Sequence, residues 1–438
     1  MKAISINIRG FKKDGKVGWF NKICITENPS IVVVQETKCR VLSDAWIERL
    51  WGNSDYGYVQ KAAAGRLGGI LTIWDSHAFD VNEVVEGKFF LAIKGKFKGA
   101  DNDTIMVNVY GPHDDERKKE FWDSLEKLMR FQNPDWILCG DFNEVRHVNK
   151  RQNSIFMNHR AGMFNDFIDK MCLIEIPLAG KKFTRICDNG RKFSKLDRFL
   201  VSTDFVNRWG NLSSVALERK LSNHYPIMLS VKNLDYGPKP VRIFDVRYER
   251  DGAEDIVKKA WAKQCDSNRP DICFRKKLKQ VKDDLRSWNK SMFGSIDEDI
   301  ELLKVEAEQW ELLAENRSLG EDERSRWMDC RDSWIKKDKE KKDMLRQKAR
   351  INWATEGDEN SKFFHVQIKR RNNKNNIRGL YIDGKWEDDP VTVKNAILHH
   401  FRSAFCEQNS SRPQLTCGDH AVLSNEDVVI LERPFDEK

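Results

Sequence analysis

WILCGDFNEV, residues 136–145, runs from a strand-length apolar segment straight into Gly140-Asp141-Phe142-Asn143, so a carboxylate and an amide stand where the strand ends. The pattern recurs along the first half of the chain. Asn7 closes the apolar run that starts at Ala3, Gln35-Glu36-Thr37 follows Ile31 to Val34, and Asn108-Val109-Tyr110-Gly111-Pro112 closes a run that starts at Ile105. Asp197-Arg198 precedes Phe199 to Val201, and Ser222-Asn223-His224 stands just before Pro226-Ile227-Met228-Leu229. A polar residue after one strand is ordinarily a turn residue. A set of such clusters is different, because a sheet gathers the ends of its strands at one rim.

Runs rich in Ile, Val and Phe read as strands at Ala3 to Ile8, Ile31 to Val34, Gly69 to Trp74, Phe89 to Ile93, Ile105 to Val109, Trp136 to Cys139, Phe199 to Val201 and Ile227 to Val231. Helices are expected at about 16–27, 42–51, 116–130 and 159–171. In the third, Phe121, Leu125, Leu128 and Met129 share a face behind the acidic first turn Asp114 to Glu116. Several strand pairs are joined by links too short for a crossover, which favours mixed sheets over a doubly wound parallel one. Gly65-Arg66-Leu67-Gly68-Gly69 lacks the lysine and hydroxyl of a phosphate-gripping loop and reads as a turn entering a strand, one that brings Arg66 near a nucleic acid.

The prolines and glycine of Asn233 to Pro240 mark a boundary. The organisation expected is a first domain over 1–232, a connecting segment over 233–274, a helical basic region over 275–375 and a small C-terminal segment over 376–438. In the helical region Leu278, Val281, Leu285 and Trp288 share one face and Ile300, Leu303, Ala307, Trp310 and Leu313 another, with Gly294 between them. Residues 331–375 hold 14 Lys and Arg against 7 Asp and Glu, a surface able to follow a nucleic-acid backbone or simply to face water.

The whole chain of 438 residues carries a formal net charge of +8, the sign expected of a phosphate-polymer binder. Its 10 cysteines have neither zinc-ribbon nor finger spacing, which points to reduced thiols. No run approaches the ~18 apolar residues of a membrane span, and MKAISINIRGF is too short and polar for a secretion signal. A soluble intracellular protein is expected, nuclear or alternatively cytoplasmic, with no membrane association and no obligate protein partner.

The strand-end clusters supply carboxylates, amides, a tyrosine and a histidine but no cysteine, a donor set suited to a hard cation such as Mg²⁺ or Mn²⁺. Glu36 and Asp141 can hold that metal or activate water, and Asn7 and Asn143 can orient a phosphate or carboxylate without adding charge. His224 can serve the phosphate near neutral pH if Asp197 fixes its tautomer, and Tyr110 can donate to non-bridging oxygens as charge builds. Together these are the parts needed to hydrolyse a phosphodiester.

SINIRG at 5–10, VVQETK at 33–38, VNVYGP at 107–112, LCGDFNEV at 138–145, KKFTR at 181–185, LDRFLV at 196–201 and SNHYPI at 222–227 together resemble the endonuclease/exonuclease/phosphatase superfamily. More narrowly, they are similar to the apurinic-type endonuclease domain of plant LINE-type non-LTR retrotransposons. The resemblance implies an α/β fold, a four-layer α/β/β/α sandwich of two mixed sheets, with one metal-dependent site at a rim. It implies Asn7 as the first-strand asparagine, Glu36 as a metal ligand, Tyr110 as a phosphate contact, and Asp141 with Asn143 as the pair that handles the attacking water. Thr184 would contact substrate, and Asp197 would orient His224. RSWNKSMFGSI at 286–296 and INWATEGDENSKFFHVQIKRRNNKNNI at 351–377 resemble the segment linking nuclease to reverse transcriptase in the same elements, yet no polymerase palm follows in this chain.

One departure bears on activity. The family's Ser-Asp-His is Ser222-Asn223-His224 here, so an amide replaces a carboxylate beside the metal and substrate. Three functions follow in order: a Mg²⁺-dependent endonuclease that nicks DNA and leaves a 3′-hydroxyl; a catalytically silent protein that binds DNA or RNA; and a phosphoesterase on a substrate other than nucleic acid.

Overall fold

Side-chain alternation sorts the strands into layers. In β1 (Lys2–Asn7) and β2 (Ile31–Gln35), Ala3, Ile31 and Val33 enter one apolar cluster while Ile4, Ile6, Val32 and Val34 enter another. In β8 (Asp135–Asp141), Ile137 and Cys139 share the first cluster, whereas Trp136 and Leu138 enter a third. The cluster common to both sets is the seam between two sheets packed face to face, and the other two lie beneath helices on the outer faces.

The computed structural model describes residues 1–64, 67–130, 134–231, 252–264, 269–293, 296–349, 361–406 and 423–431. Arg66, the boundary stretch Asn233 to Pro240 and the first ten residues of the 351–377 motif lie outside them. The seven-stranded sheet runs β11 (Leu178–Ala179), β15 (Leu212–Ala216), β16 (Ile227–Val231), β1, β2, β4 (Leu67–Asp75) and β3 (Tyr56–Ala64). The six-stranded sheet runs β10 (Ile174–Glu175), β14 (Asp197–Val201), β8, β7 (Thr104–Tyr110), β6 (Phe90–Phe97) and β5 (Phe79–Glu86). Both are mixed: β1 pairs with β2 and β7 with β8 in parallel, and β16 and β14 lie antiparallel to β1 and β8. A small sheet, β12 (Arg185–Ile186), β13 (Phe193–Ser194) and β9 (Arg151–Gln152), edges the same rim.

Helices α1 (Lys16–Glu27) and α2 (Asp44–Trp51) cover the first sheet through Trp19, Phe20, Ile47 and Leu50. Helices α3 (Asp115–Met129) and α4 (Asn158–Lys170) cover the second, where Trp122 stacks on Phe164 with ring centres 4.7 Å apart. The Asp114 side chain, read from the sequence as part of the first turn, instead caps α3 by accepting from the Arg117 N–H at 2.9 Å. A short α5 (Thr203–Trp209) follows β14. This is the four-layer α/β/β/α arrangement expected from the sequence.

The described chain forms two compact units, Met1–Pro390 and Val391–Lys438. The first unit also contains α6 (Ala253–Ala262), α7 (Pro270–Phe293), α8 (Ile296–Asn316), α9 (Glu321–Ala349), α10 (Ser361–Asn375) and the hairpin β17 (Leu380–Ile382) and β18 (Lys385–Glu387). The region expected to be a helical basic extension is helical, and its last part folds back on the sheets. Val366 of α10 is 2% exposed and joins the inter-sheet core. Arg370 donates to the carbonyls of Ile168 and Leu173 and pairs with Asp169. Arg378 reaches the Leu212 carbonyl and Tyr381 the Gly180 carbonyl. These contacts cover the side on which β10 and β11 end their sheets, where unpaired strand edges would otherwise be open. The second unit holds α12 (Asn425–Leu431) and nearly all of α11 (Pro390–Phe405). No helix among the described residues is long and apolar enough to cross a membrane.

Candidate active site

Parallel pairing of β1 with β2 and of β7 with β8 puts Asn7, Gln35, Tyr110 and Asp141 at one end of the sandwich. The antiparallel neighbours bring in the residues that begin their strands: Asp197 lies opposite Asp141, and His224 comes just ahead of β16. The rim is thus a product of topology, with each sheet contributing strand ends. Gly140 makes the approach possible. It sits at φ +138, and a Cβ there would lie 2.0 Å from the carbonyl oxygen of Val109 on the adjacent strand.

Asn7 joins the two sheets at this rim. It is wholly buried, and its Nδ2 donates to Asp141 Oδ2 at 2.9 Å and to Glu36 Oε1 at 3.2 Å. Asp141 Oδ1 accepts the Asn143 N–H at 2.9 Å, so both carboxylate oxygens are held. Glu36 and Asn143 occupy the left-handed region, at φ +53 and +50, a conformation that costs a non-glycine residue roughly 1–2 kcal/mol and here aims both side chains at the rim. One layer deeper, Gln35 Nε2 donates to Asn108 Oδ1 at 2.7 Å, and Asn108 in turn donates to Thr72 Oγ1, a buried polar strut between the sheets.

His224 and Asp197 form a second pair. Nδ1 of the imidazole lies 2.8 and 3.1 Å from the two Asp197 oxygens, and Nε2 lies 3.8 Å from Asp141 Oδ2. Burial works against the charged imidazole, but Asp197 and then Asp141 outweigh it and raise the His224 pKa above its ordinary value. Burial raises the Asp141 carboxyl, with the Asp197 charge adding to it against His224. Burial also opposes ionisation of Glu36, yet hydrogen bonds from Asn7 and Tyr110 and the Lys38 charge at 3.4 Å leave its pKa lowered. Burial and the Glu36 charge raise the Tyr110 phenol, which stays protonated and able to donate.

Asn7, Glu36, Tyr110, Asp141, Asn143, Asp197 and His224 therefore come together. Glu36, Tyr110, Asp141, Asn143 and His224 line one cavity of about 610 Å³, rimmed by Arg9, Lys38, Lys61, Lys88, Arg117 and Arg185. Thr184 does not line it. Its wholly buried hydroxyl accepts the backbone N–H groups of Leu196 at 2.9 Å and Asp197 at 3.0 Å, so whatever it does for the site passes through Asp197. Asn223 lines a neighbouring basic cavity with Arg9, Lys12, Lys13, Lys38 and Arg219, and its buried Oδ1 has no hydrogen-bond partner.

The donor set fits a hard divalent cation. Asp141, Asp197 and His224 offer ligand atoms within 4.8 Å of one another, and Asn7 ties Asp141 to the half-buried Glu36, an oxygen-rich acidic set of the kind that a hard ion takes. Asp197 gives both oxygens to His224, whereas Glu36 and Asp141 face the cavity, so the latter two would hold the ion.

Other residues support the rim in roles that the sequence did not assign: Glu144, Arg198 and Ser222 lie within the quoted motifs, and Lys118 and Glu175 lie outside them. Lys118 of α3 is wholly buried, 3.3 Å from the buried Glu144 carboxylate, and donates to the Asn143 carbonyl at 3.0 Å. Ser222 Oγ donates to the Asn7 carbonyl at 2.7 Å and accepts from the His224 N–H, tying the histidine loop to β1. Buried Arg198 donates to the carbonyls of Glu144 and Lys195 and lies over the Phe164 ring, while Glu175 binds Lys195 at 2.5 Å and Arg146 at 2.9 Å. Nothing in the spacing of these residues distinguishes them from the many Lys, Arg and Glu that face water.

Residues 4–224 match the Endonuclease/Exonuclease/phosphatase family. Among solved structures, the chain is similar to an AP endonuclease from Leishmania major, at 18% identity over 52% of this chain and 86% of that one, with a TM-score of 0.44. It is similar to a 3′-5′ exonuclease from Neisseria meningitidis, at 16% identity over 53% of this chain and 99% of that one, TM-score 0.42. It is also similar to the endonuclease domain of TRAS1, a telomere-specific non-LTR retrotransposon, at 12% identity over 53% and 97%, TM-score 0.41. Among curated proteins none matches this chain.

Proposed function

Because the chain belongs to the endonuclease/exonuclease/phosphatase family, we propose that it is a divalent-metal-dependent endonuclease that nicks DNA and leaves a 3′-hydroxyl. The observation that carries this reading is the convergence of Glu36, Asp141 and the Asp197–His224 pair on one basic-rimmed cavity, with Asn7 holding the first two. Mg²⁺ or Mn²⁺ bound by Glu36 and Asp141 would supply charge stabilisation to the phosphoryl oxygens. His224, kept protonated and aimed by Asp197, donates from Nε2 to a non-bridging oxygen, and the Tyr110 hydroxyl donates to another. Asp141, its two oxygens fixed by Asn7 and by the Asn143 N–H, is placed to accept a proton from the attacking water, which Asn143 helps to orient. The basic rim attracts the backbone regardless of sequence. The similarity of residues 286–296 and 351–377 to the linker of plant LINE-type elements supports a retrotransposon origin, and with it a nuclear place of action.

A weakly active or silent DNA- or RNA-binding protein is the second reading, favoured by Asn223, whose orphaned amide oxygen stands where the family resemblance implies a carboxylate. One nicking titration on supercoiled plasmid separates the two. With Mg²⁺, Glu36→Ala is expected to lose roughly 10²-fold or more of the rate while staying folded. Asn223→Asp is expected to raise the rate and lower the half-saturating Mg²⁺ concentration by roughly 10-fold or more. Unchanged nicking in Glu36→Ala would refute the assignment, and no metal-dependent nicking in either native protein or Asn223→Asp would overturn the nuclease reading.

A further inference from the structure

Outside the family-matched residues, the antiparallel pair α6 and α7 carries a surface of different character. Trp261 near the end of α6 and Phe274 in the second turn of α7 are 41% and 56% exposed, yet they meet edge to face, with ring centres 6.0 Å apart. Exposed aromatic rings are costly to leave in water, and this pair does not belong to any apolar core among the described residues. Beside them the sequence FRKKLKQVK, 274–282, places five cations with no acid among them. Arg275, Lys276 and Lys279 are exposed and form no ion pair among the described residues. Lys277 lies over the Trp261 ring at 5.5 Å while donating to the Trp261 carbonyl at 2.8 Å. Lys277 also lines a groove of about 440 Å³ between the helices, where four lysines, Lys263, Lys276, Lys277 and Lys279, face one acid, Asp283. The aromatic pair and the groove are therefore contiguous.

A solvated helix face accounts for lysines alone. It does not account for two large exposed rings at the lip of a groove whose wall carries four lysines, an arrangement that combines a stacking surface for a base with a track for the backbone. Duplex DNA would engage the lysines but keeps its bases stacked inside, out of reach of the rings.

We propose that the α6–α7 pair is a second nucleic-acid site, one that takes a single strand, with phosphates along Lys276, Lys277 and Lys279 and a base against Trp261 and Phe274. The site is separate from the rim described above, and its binding needs no hydrolysis. The test uses the full chain in EDTA, so that catalysis is silent, with fluorescence anisotropy on a labelled oligo(dT) strand and on a labelled duplex. Trp261→Ala with Phe274→Ala is expected to weaken oligo(dT) binding by about tenfold, since one stacked base is worth that order, and to change duplex binding by less than twofold. Lys276→Glu with Lys279→Glu, two exposed positions that leave the rings in place, is expected to lower the slope of log affinity against log salt by about 1.4. Helical circular dichroism checks that both variants are folded. Oligo(dT) affinity within twofold of native in the aromatic variant overturns the proposal. So does an unchanged salt slope in the charge variant, or an equal loss on duplex, which would mark a generic basic face. Because the readout is binding without metal, a failed nicking experiment leaves it standing, and its own failure leaves the nuclease reading standing.

Discussion

Asn7 is the one neutral donor that both Glu36 and Asp141 share, and its replacement separates two effects. Asn7→Ala deletes two hydrogen bonds to charged acceptors, which is expected to cost about 2–4 kcal/mol of stability at pH 7. Asn7→Asp keeps the shape but adds a further negative charge to a buried carboxylate cluster. It should be less stable than Asn7→Ala in EDTA at pH 7 and should recover relative to it as acid neutralises the carboxylates. Urea denaturation of both variants at pH 7 and pH 5 checks this, and Asn7→Asp matching Asn7→Ala at pH 7 would mean that the carboxylates are already neutral.

Glu175 tests the buried network behind the rim. Burial disfavours its charge, but Lys195, Arg198 and Arg146 outweigh that and hold its pKa well below the ordinary 4.5. A carboxyl depressed on folding contributes stability that is fully present above the unfolded pKa and is lost as pH falls toward the folded one. Glu175→Gln is therefore expected to lose about 3 kcal/mol at pH 7, with the gap from native protein narrowing steadily below pH 4.5. At this scale the residues that meet at the rim were legible because a strand end is readable from the apolar run before it. The supporting roles of Lys118 and Glu175, and of Glu144 and Ser222 within their quoted motifs, were not, because they depend on neighbours far away in sequence: Lys118 has four other lysines or arginines within or beside its helix, and only packing decides which is buried.

At the scale of elements, the central strand β8 depends on close approach to β7. Gly140→Ala would force a Cβ against the Val109 backbone and out of a conformation that only glycine adopts easily. It is expected to cost about 3 kcal/mol and to displace Asp141, so nicking should fall further than thermal stability alone explains. A fully active, equally stable Gly140→Ala would show that the strands can part here without consequence. The buried strands were readable, since their apolar runs fall within or overlap β1, β2, β4, β6, β7, β8, β14 and β16. The edges were not. Edge strand β5 reads FDVNEVVE and is mostly exposed, and edge strand β3 reads YGYVQKAAA; β15 (LSSVA), one strand in from an edge, buries two serines, so none presents an apolar run to detect. The short α5, Thr203–Trp209, was missed because fewer than two turns leave too few repeats of the helical spacing to read.

At the scale of the whole molecule, the sequence suggests a boundary near 233, while the fold carries contacts across it. We expect residues 1–235 to fold alone, because both sheets and their helices lie within that span. They should nonetheless unfold at lower urea than residues 1–390, by about 3–5 kcal/mol, for lack of Val366 in the core and of Arg370 on the α4–β10 connection. Equal midpoints would show that α10 merely rests on the surface. This long-range return was not legible in the sequence, where α10 reads as one more basic helix.

Arg370 bonds to residues 197 and 202 positions earlier, and that distance has a meaning in time as well as in space. Ribosomes add about 5–20 residues each second, so the sandwich, complete at Val231, leaves the exit tunnel roughly 7–29 seconds before its closing helix, Ser361–Asn375, does. Through that interval the flank bearing β10 and β11 is open on a nascent chain, where a neighbouring polysome or a holdase chaperone can reach it. Codon usage and growth temperature between residues 235 and 375 would then govern the yield of soluble protein more strongly than the same changes made after residue 390.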